Sequence, residues 1–294
     1  MSEPALHLYQ REGAYIPRVA AVHDLCGYGK CSLGVAIPVL SAAGCDVCPV
    51  PTGLFSSHTA FPGWYMHDTT AMLADYLAAW KNIGVEIDAV YSGFLGAPEQ
   101  VERIRDLYAM YPSALRVVDP VMADHGKVYP TYTPELCDAM AELACGADIL
   151  TPNLTEAAII LGEPIGEDWG GTDISDAEAH RLVDALVAKG AKHVVLKGIQ
   201  REGETCIRNF VGGTDMETVE VHNEYLPYML HGTGDLYASC LLAAVMAGRT
   251  LEEAVRFAGD FVHDAMIVSA QQPEFEARGV SFEPLLGNVC ELLG

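Results

Sequence analysis

The segment His231-Gly232-Thr233-Gly234-Asp235 runs directly into Leu236-Tyr237-Ala238-Ser239-Cys240-Leu241-Leu242-Ala243-Ala244-Val245. Two glycines let the backbone turn tightly and approach a ligand closely. The helix expected to start there is almost wholly apolar, so it must be buried. Its first amides then present the positive end of the helix dipole to a site rather than to bulk water. Gly232, Thr233 and Gly234 make a candidate anion hole without any basic side chain. Asp235 has two readings. Carboxylates are common at helix starts, where they cap free amides. Inside an anion hole, however, a carboxylate opposes the anion unless it is there to accept a proton, which makes Asp235 a candidate general base.

Other polar groups follow short apolar runs. Val117-Val118 is followed by Asp119-Pro120, Leu150-Thr151 by Pro152-Asn153, and Val195-Leu196 by Lys197-Gly198. Glu156 lies about one helical turn beyond Asn153, so the two can face one point. Asn153 and Glu156 also fit an ordinary helix start, and Asp119 a strand-end cap. Oxygen donors gathered near a phosphate path suit a hydrated Mg²⁺, which keeps several of its waters. Lys197, in a chain poor in lysine, suits a phosphate contact.

Two glycine-bearing loops come earlier. In His23-Asp24-Leu25-Cys26-Gly27-Tyr28-Gly29-Lys30-Cys31-Ser32 the Gly-Lys pair lacks the upstream glycine and the following hydroxyl of a phosphate-binding P-loop. It reads as a substrate-side loop. Thr52-Gly53-Leu54-Phe55-Ser56-Ser57-His58-Thr59 carries hydroxyls and an imidazole. A serine hydrolase built on His58 has no Gly-x-Ser-x-Gly elbow to support it.

These residues need a scaffold, and the hydrophobic pattern predicts one. Strands are expected at Arg18 to His23, Asp46 to Thr52, Ile87 to Ser92, Leu115 to Val121, Asp148 to Thr151 and His193 to Lys197. Helices are expected between them, at Gly34 to Ala43, Asp68 to Trp80, Pro98 to Met110, Pro134 to Ala144, Leu154 to Leu161 and Asp176 to Lys189. Thr205 to Val211 and Glu217 to Val221 read as a hairpin joined by Gly212 and Gly213. Helices at Thr233 to Ala247 and Leu251 to Ala270, and a short one near Leu285, complete the chain. The stretch from Gly162 to Asp176 reads as a surface loop. Such alternation predicts an α/β fold, a mostly parallel sheet with helices on both faces, and residues 1–294 read as a single domain. Ligands in these folds bind at the carboxyl ends of the strands, where the polar groups above stand.

Composition narrows the partners. The 294 residues carry 17 Lys and Arg against 40 Asp and Glu, a formal charge of −23. Such a surface repels nucleic acid and anionic lipid. The nine cysteines read as reduced thiols, and Cys45 and Cys48 as packing rather than a metal site, because no second ligand pair follows. Met1 to Pro17 has no basic and apolar signal-peptide pattern, and the longest apolar run, Leu236 to Gly248, is too short to cross a bilayer. The expected location is the cytoplasm.

The ordered motifs resemble those of the ribokinase-like superfamily, and within it the pyridoxal and pyridoxamine kinases, from about Arg18 to Ala270. Phe55-Ser56-Ser57-His58-Thr59 is similar to the family's substrate-side Phe-Ser-x-His-Thr. Tyr91-Ser92-Gly93-Phe94-Leu95-Gly96 is similar to its Ser-Gly-Tyr segment, with Phe94 in place of the usual Tyr. Asp119-Pro120-Val121-Met122 and Pro152-Asn153-Leu154-Thr155-Glu156 resemble its Mg-ATP motifs, Lys197 a nucleotide-contacting lysine, and Gly232-Thr233-Gly234-Asp235 its anion hole and base.

The resemblance implies a ribokinase-like three-layer sandwich, commonly a homodimer. It implies phosphorylation of the 5′-hydroxymethyl group of a vitamin B6 compound (pyridoxal, pyridoxamine or pyridoxine) by ATP. Asp119, Asn153 and Glu156 would organise Mg²⁺, with Asp119 and Glu156 acting through water. Lys197 would neutralise phosphate charge and Asp235 would act as base. His23, Thr59, Phe94 and Tyr129 are the expected substrate-pocket residues. One departure is His23-Asp24, where many pyridoxal kinases place a ring-contacting Ser. The nearest alternatives are a hydroxymethylpyrimidine kinase or a sugar kinase on the same fold, and then a non-catalytic vitamer-binding protein. The hydroxymethylpyrimidine kinases often carry Cys at the base position, so Asp235 favours the pyridoxal branch.

Overall fold

A computed structural model describes residues 6–164 and 174–294. A nine-stranded sheet runs through it. The strands of the chain are β1 (Arg18–Cys26), β2 (Asp46–Phe55), β3 (Met66–Asp68), β4 (Ala89–Ser92), β5 (Leu115–Val118), β6 (Ala123–Asp124), β7 (Lys127–Val128), β8 (Ile149–Leu150), β9 (His193–Gln200), β10 (Cys206–Gly213) and β11 (Met216–Glu224). The order across the sheet is β11-β10-β9-β8-β5-β4-β1-β2-β3, with β6 and β7 forming a separate hairpin. From β2 to β9 every pairing is parallel, while β3, β10 and β11 join antiparallel at the two margins.

The helices are α1 (Leu33–Ala42), α2 (Thr70–Ile83), α3 (Pro98–Met110), α4 (Pro134–Ala144), α5 (Leu154–Leu161), α6 (Asp176–Lys189), α7 (Thr233–Met246), α8 (Leu251–Ser269), α9 (Phe275–Arg278) and α10 (Leu286–Cys290). They divide between the two faces of the sheet because the strands alternate. Val90, Val118, Leu150 and Val194 pack toward α2 to α6. Ala89, Val117, Ile149 and Val195 pack toward α1, α7 and α8. Period-two alternation with apolar residues on both sides is what a doubly covered sheet requires.

The expected α/β fold, a mostly parallel sheet with helices on both faces, is thus observed. The hairpin turn differs from expectation. Gly213 pairs with Met216, so the chain reverses at Thr214 and Asp215. Gly212 and Gly213 remain in the strand because neighbours press on them. A Cβ on Gly212 would stand 2.7 Å from the Val183 side chain, and one on Gly213 2.4 Å from the His193 ring. Most of the expected loop from Gly162 to Asp176 lies outside the described residues.

Ladder bonds continue past the strand ends and fix the functional residues in register. Asp119 N donates to Ser92 O at 2.9 Å, Thr151 N to Val118 O at 3.0 Å, and Lys197 N to Pro152 O at 2.9 Å. These bonds bring Asp119, Thr151 and Lys197 to one edge.

Candidate active site

A cleft of about 820 Å³ opens along that edge. Asp119, Asn153, Glu156 and Lys197 line it, and so do Gly232, Thr233, Gly234 and Asp235. Residues from β5, β9 and the start of α7 therefore converge on one space, as the sequence predicts.

Helix α7 is buried from Asp235 to Met246, which explains its uniform apolarity. Its N-cap is Gly232, at φ 83°, and no side chain caps the first turn. The free amides of that turn can serve an anion instead. Gly232 is required twice over. Its left-handed backbone favours glycine, and a Cβ there would stand 2.0 Å from the Lys30 carbonyl oxygen. A Cβ on Gly234 would meet nothing within 4 Å, so the space beside this residue is open.

Asp235 is buried, and its Oδ1 has no hydrogen-bond partner. Burial pushes its carboxyl up to about 7, with repulsion from Asp119 adding to the shift. Such a group exchanges a proton near neutral pH, as a general base needs.

The Lys197 ammonium lies 2.5 Å from Asp119 Oδ1, with side-chain exposures of 12% and 1%. Thr151 Oγ1 donates to the same oxygen at 2.8 Å. Asp119 Oδ2 is buried with no partner. Asn153 and Glu156 satisfy the structural reading of their motif in full. Asn153 Oδ1 accepts from Glu156 N at 2.9 Å, and Glu156 Oε2 accepts from Asn153 N at 2.9 Å, forming a capping box. Glu156 Oε1 also accepts from Met122 N at 3.3 Å. Burial drives the Glu156 carboxyl upward, against the pull of Lys197. The donor set here consists of oxygen atoms from carboxylates, one with a spare buried acceptor. It fits a hard divalent cation such as Mg²⁺ and would not select a thiophilic one.

The four expected pocket residues separate. Tyr129 lines the cleft at 36% exposure. His23 does not reach it. This ring is fully buried, stacked edge-on against Tyr91 at 4.3 Å, with both nitrogens unpartnered. Gly93 lies so close that a Cβ there would be 2.2 Å from His23 Nδ1. The expected ring contact therefore gives way to packing beneath the site. Burial also depresses His23 to about 3, so it is neutral. Thr59 is exposed and Phe94 packs against Phe55 and Tyr132; neither lines the cleft.

Other cleft residues were not expected. Ile207, Tyr225, Leu226, Val262 and Met266 give the far end an apolar lining. The signal for them is only that apolar residues stand in segments that read as an edge hairpin strand, a loop or an outer helix face. Beyond them Asn209 Nδ2 donates to Asn223 Oδ1 at 3.0 Å, and Asn223 Nδ2 to Asp260 Oδ1 at 2.8 Å.

Known proteins match this arrangement over most of the chain. A family model described as phosphomethylpyrimidine kinase matches residues 39–278. The pyridoxal kinase PdxY of Pasteurella multocida is 29% identical over 284 residues, covering 88% of this chain and 91% of that protein. Among solved structures, the pyridoxal kinase of Lactobacillus plantarum superposes with a TM-score of 0.85 at 28% identity, over 95% of this chain and 98% of its own. A Bacteroides thetaiotaomicron protein assigned to the phosphomethylpyrimidine kinases and crystallised with pyridoxal gives 0.87 at 33% identity, over 94% and 96%. The expected kinship with pyridoxal kinases of the ribokinase-like superfamily is borne out. The matched span carries the cleft residues from β5, α5, β9 and α7, and with it this chain belongs to the phosphomethylpyrimidine kinase family.

Proposed function

We propose that this chain transfers the γ-phosphoryl group of ATP to the 5′-hydroxymethyl group of a vitamin B6 compound, with Asp235 as general base. One observation carries the reading. Asp235 Oδ1 is buried and unpartnered at the uncapped start of α7, in the same cleft as Asp119, Glu156 and Lys197. A protein that only bound the vitamer would have no use for a proton acceptor inside an anion hole.

In this mechanism the substrate hydroxyl donates to Asp235 Oδ1. Its oxygen attacks the γ-phosphorus in line, the proton passes to the carboxylate, and the bond to the β-phosphate oxygen breaks to release ADP. The amides of Gly232 to Asp235 stabilise charge on the transferring group, fixed in place before the reaction begins. Lys197 answers phosphate charge within the same cleft. Asp119 and Glu156 would hold Mg²⁺, through water, with Asn153 keeping Glu156 in place. When bound, Mg²⁺ neutralises charge on the nucleotide phosphates. The apolar end of the cleft receives the nucleoside, and Tyr129 borders the substrate.

We take residues 1–294 to act as one kinase unit, in the cytoplasm, as a homodimer. The free cysteines suit a reducing compartment. No helix among the described residues is long and apolar enough to cross a membrane. Leu54, Trp64 and Tyr65 are exposed beside the edge strand β3, a surface suited to a second copy.

A second reading, phosphorylation of a hydroxymethylpyrimidine, is favoured by the description of the matching family model. An ATP-consumption assay against pyridoxal, pyridoxamine, pyridoxine, hydroxymethylpyrimidine and ribose separates the two. Turnover with a B6 compound at the highest kcat/KM supports the proposal. Turnover confined to hydroxymethylpyrimidine or ribose overturns it.

A further inference from the structure

At the end of β1 a second group of ligating atoms stands apart from the magnesium-type oxygens. Asp24, Cys26 and Cys31 each offer one atom, and these atoms all lie within 4.8 Å of one another. Cys26 Sγ is 3.4 Å from Asp24 Oδ2. The five-residue separation between the thiols turns through Gly29 at φ 98°, and Ser32, the residue after Cys31, sits at φ 51°. Ser32 is a non-glycine residue in the left-handed region, a conformation that costs free energy and persists where the surroundings enforce it.

We propose that Asp24, Cys26 and Cys31 form a binding site for one thiophilic divalent cation of the zinc class, with an open fourth position.

The donor chemistry selects this class. Two sulfurs and one carboxylate oxygen are a zinc-type set, whereas Mg²⁺ and Ca²⁺ prefer oxygen alone. The spacing agrees. Zinc holds sulfur at about 2.3 Å and carboxylate oxygen at about 2.0–2.2 Å, so tetrahedral neighbours stand roughly 3.6 Å apart. Asp24 and Cys26 are already near that separation. Asp24 is only 5% exposed, so this is not an accidental surface carboxylate. The loop's one cation does not compensate it, because Lys30 pairs with Glu283. A bound cation would compensate the buried carboxylate and take the thiols as thiolates, releasing their protons to solvent.

Cobalt titration of the reduced protein tests this without any turnover, so its outcome is separate from the kinase reading. Wild type should take up one Co²⁺ with a thiolate-to-cobalt charge-transfer band, bleached on adding Zn²⁺. Cys26→Ser and Cys31→Ser should each weaken Co²⁺ binding at least tenfold and reduce the band. Because the chain has other cysteines, a second measurement uses no variant. Zn²⁺ should protect Cys26 and Cys31 from alkylation, read by peptide mass spectrometry, in preference to the remaining thiols. No uptake by wild type, an unchanged band in both variants, or protection of other cysteines instead would overturn the site.

Discussion

Lys197, within β9, and Asp119, just past the end of β5, face each other at 2.5 Å, and both line the cleft. A cationic side chain expected to meet phosphate is thus held by a carboxylate until a ligand arrives. The pair is nearly dry, and removing one member leaves the other charge buried and uncompensated. Lys197→Met should cost about 3–5 kcal/mol in denaturant unfolding. Adding Asp119→Asn should recover part of that loss. If Lys197→Met unfolds like wild type, the pair is not buried in solution.

Asp235→Asn keeps the shape of the side chain and removes the proton acceptor. Positioned bases contribute about 10²–10⁴-fold to rate. The variant should bind ATP and vitamer and lose kcat by that order in a single-turnover measurement. Asn is nearly as good at a helix start as Asp. Near-wild-type turnover would therefore leave Asp235 a first-turn residue and nothing more.

The elevated carboxyl of Asp235 also dictates a pH dependence. As a base it must be ionised, so kcat/KM should rise with pH through about 7 and then level off. Stability runs the other way. The folded state holds this proton more tightly than the unfolded chain does. Its contribution is therefore full below the ordinary carboxylate range and is lost as pH rises through about 7. The melting temperature of Asp235→Asn relative to wild type should increase between about pH 4 and pH 8. A constant difference across that window would mean the carboxyl is not raised.

Glu156→Gln should raise the Mg²⁺ concentration needed for half-maximal turnover while leaving vitamer affinity nearly unchanged, because the side chain still accepts from Asn153 N. Asn153→Ala should instead cost about 1 kcal/mol of stability through the lost cap. An unchanged Mg²⁺ requirement in Glu156→Gln would remove this residue from the metal side.

His23→Ser should lower the melting temperature and leave the ratio of kcat/KM for pyridoxal and pyridoxamine unchanged. The ring fills space beneath Gly93 and does not face the cleft. A shift in the ratio would return His23 to the pocket.

The contrast between His23 and Asp235 shows which parts of the site can be read from sequence. Asp235 precedes an apolar run whose burial is forced by composition, so its location follows from local pattern. The boundaries of α3, α4, α5 and α6 are equally local. Thr133, Asn153 and Ser175 cap their helices, Pro98 and Pro134 open theirs, and Gly162 and Gly190 end α5 and α6. His23 lies within β1, and its fate depends on Gly93, just past the end of β4, a contact no local spacing encodes. The short strand β3 is set by its antiparallel pairing with β2, and β6 and β7 by a tight hairpin of only two residues each, too short for a periodic pattern to show. The apolar end of the cleft escaped notice because Tyr225, Leu226 and Met266 become a lining only when the loop after β11 meets α8.

The contact between Gly232 and the Lys30 carbonyl gives the two ligands a common wall. On one side are the amides that would receive a phosphate, and on the other is the loop expected to meet the vitamer. Whatever rearrangement one ligand imposes on this wall is met by the other, and thermodynamic reciprocity requires each to change the affinity of its neighbour by the same factor.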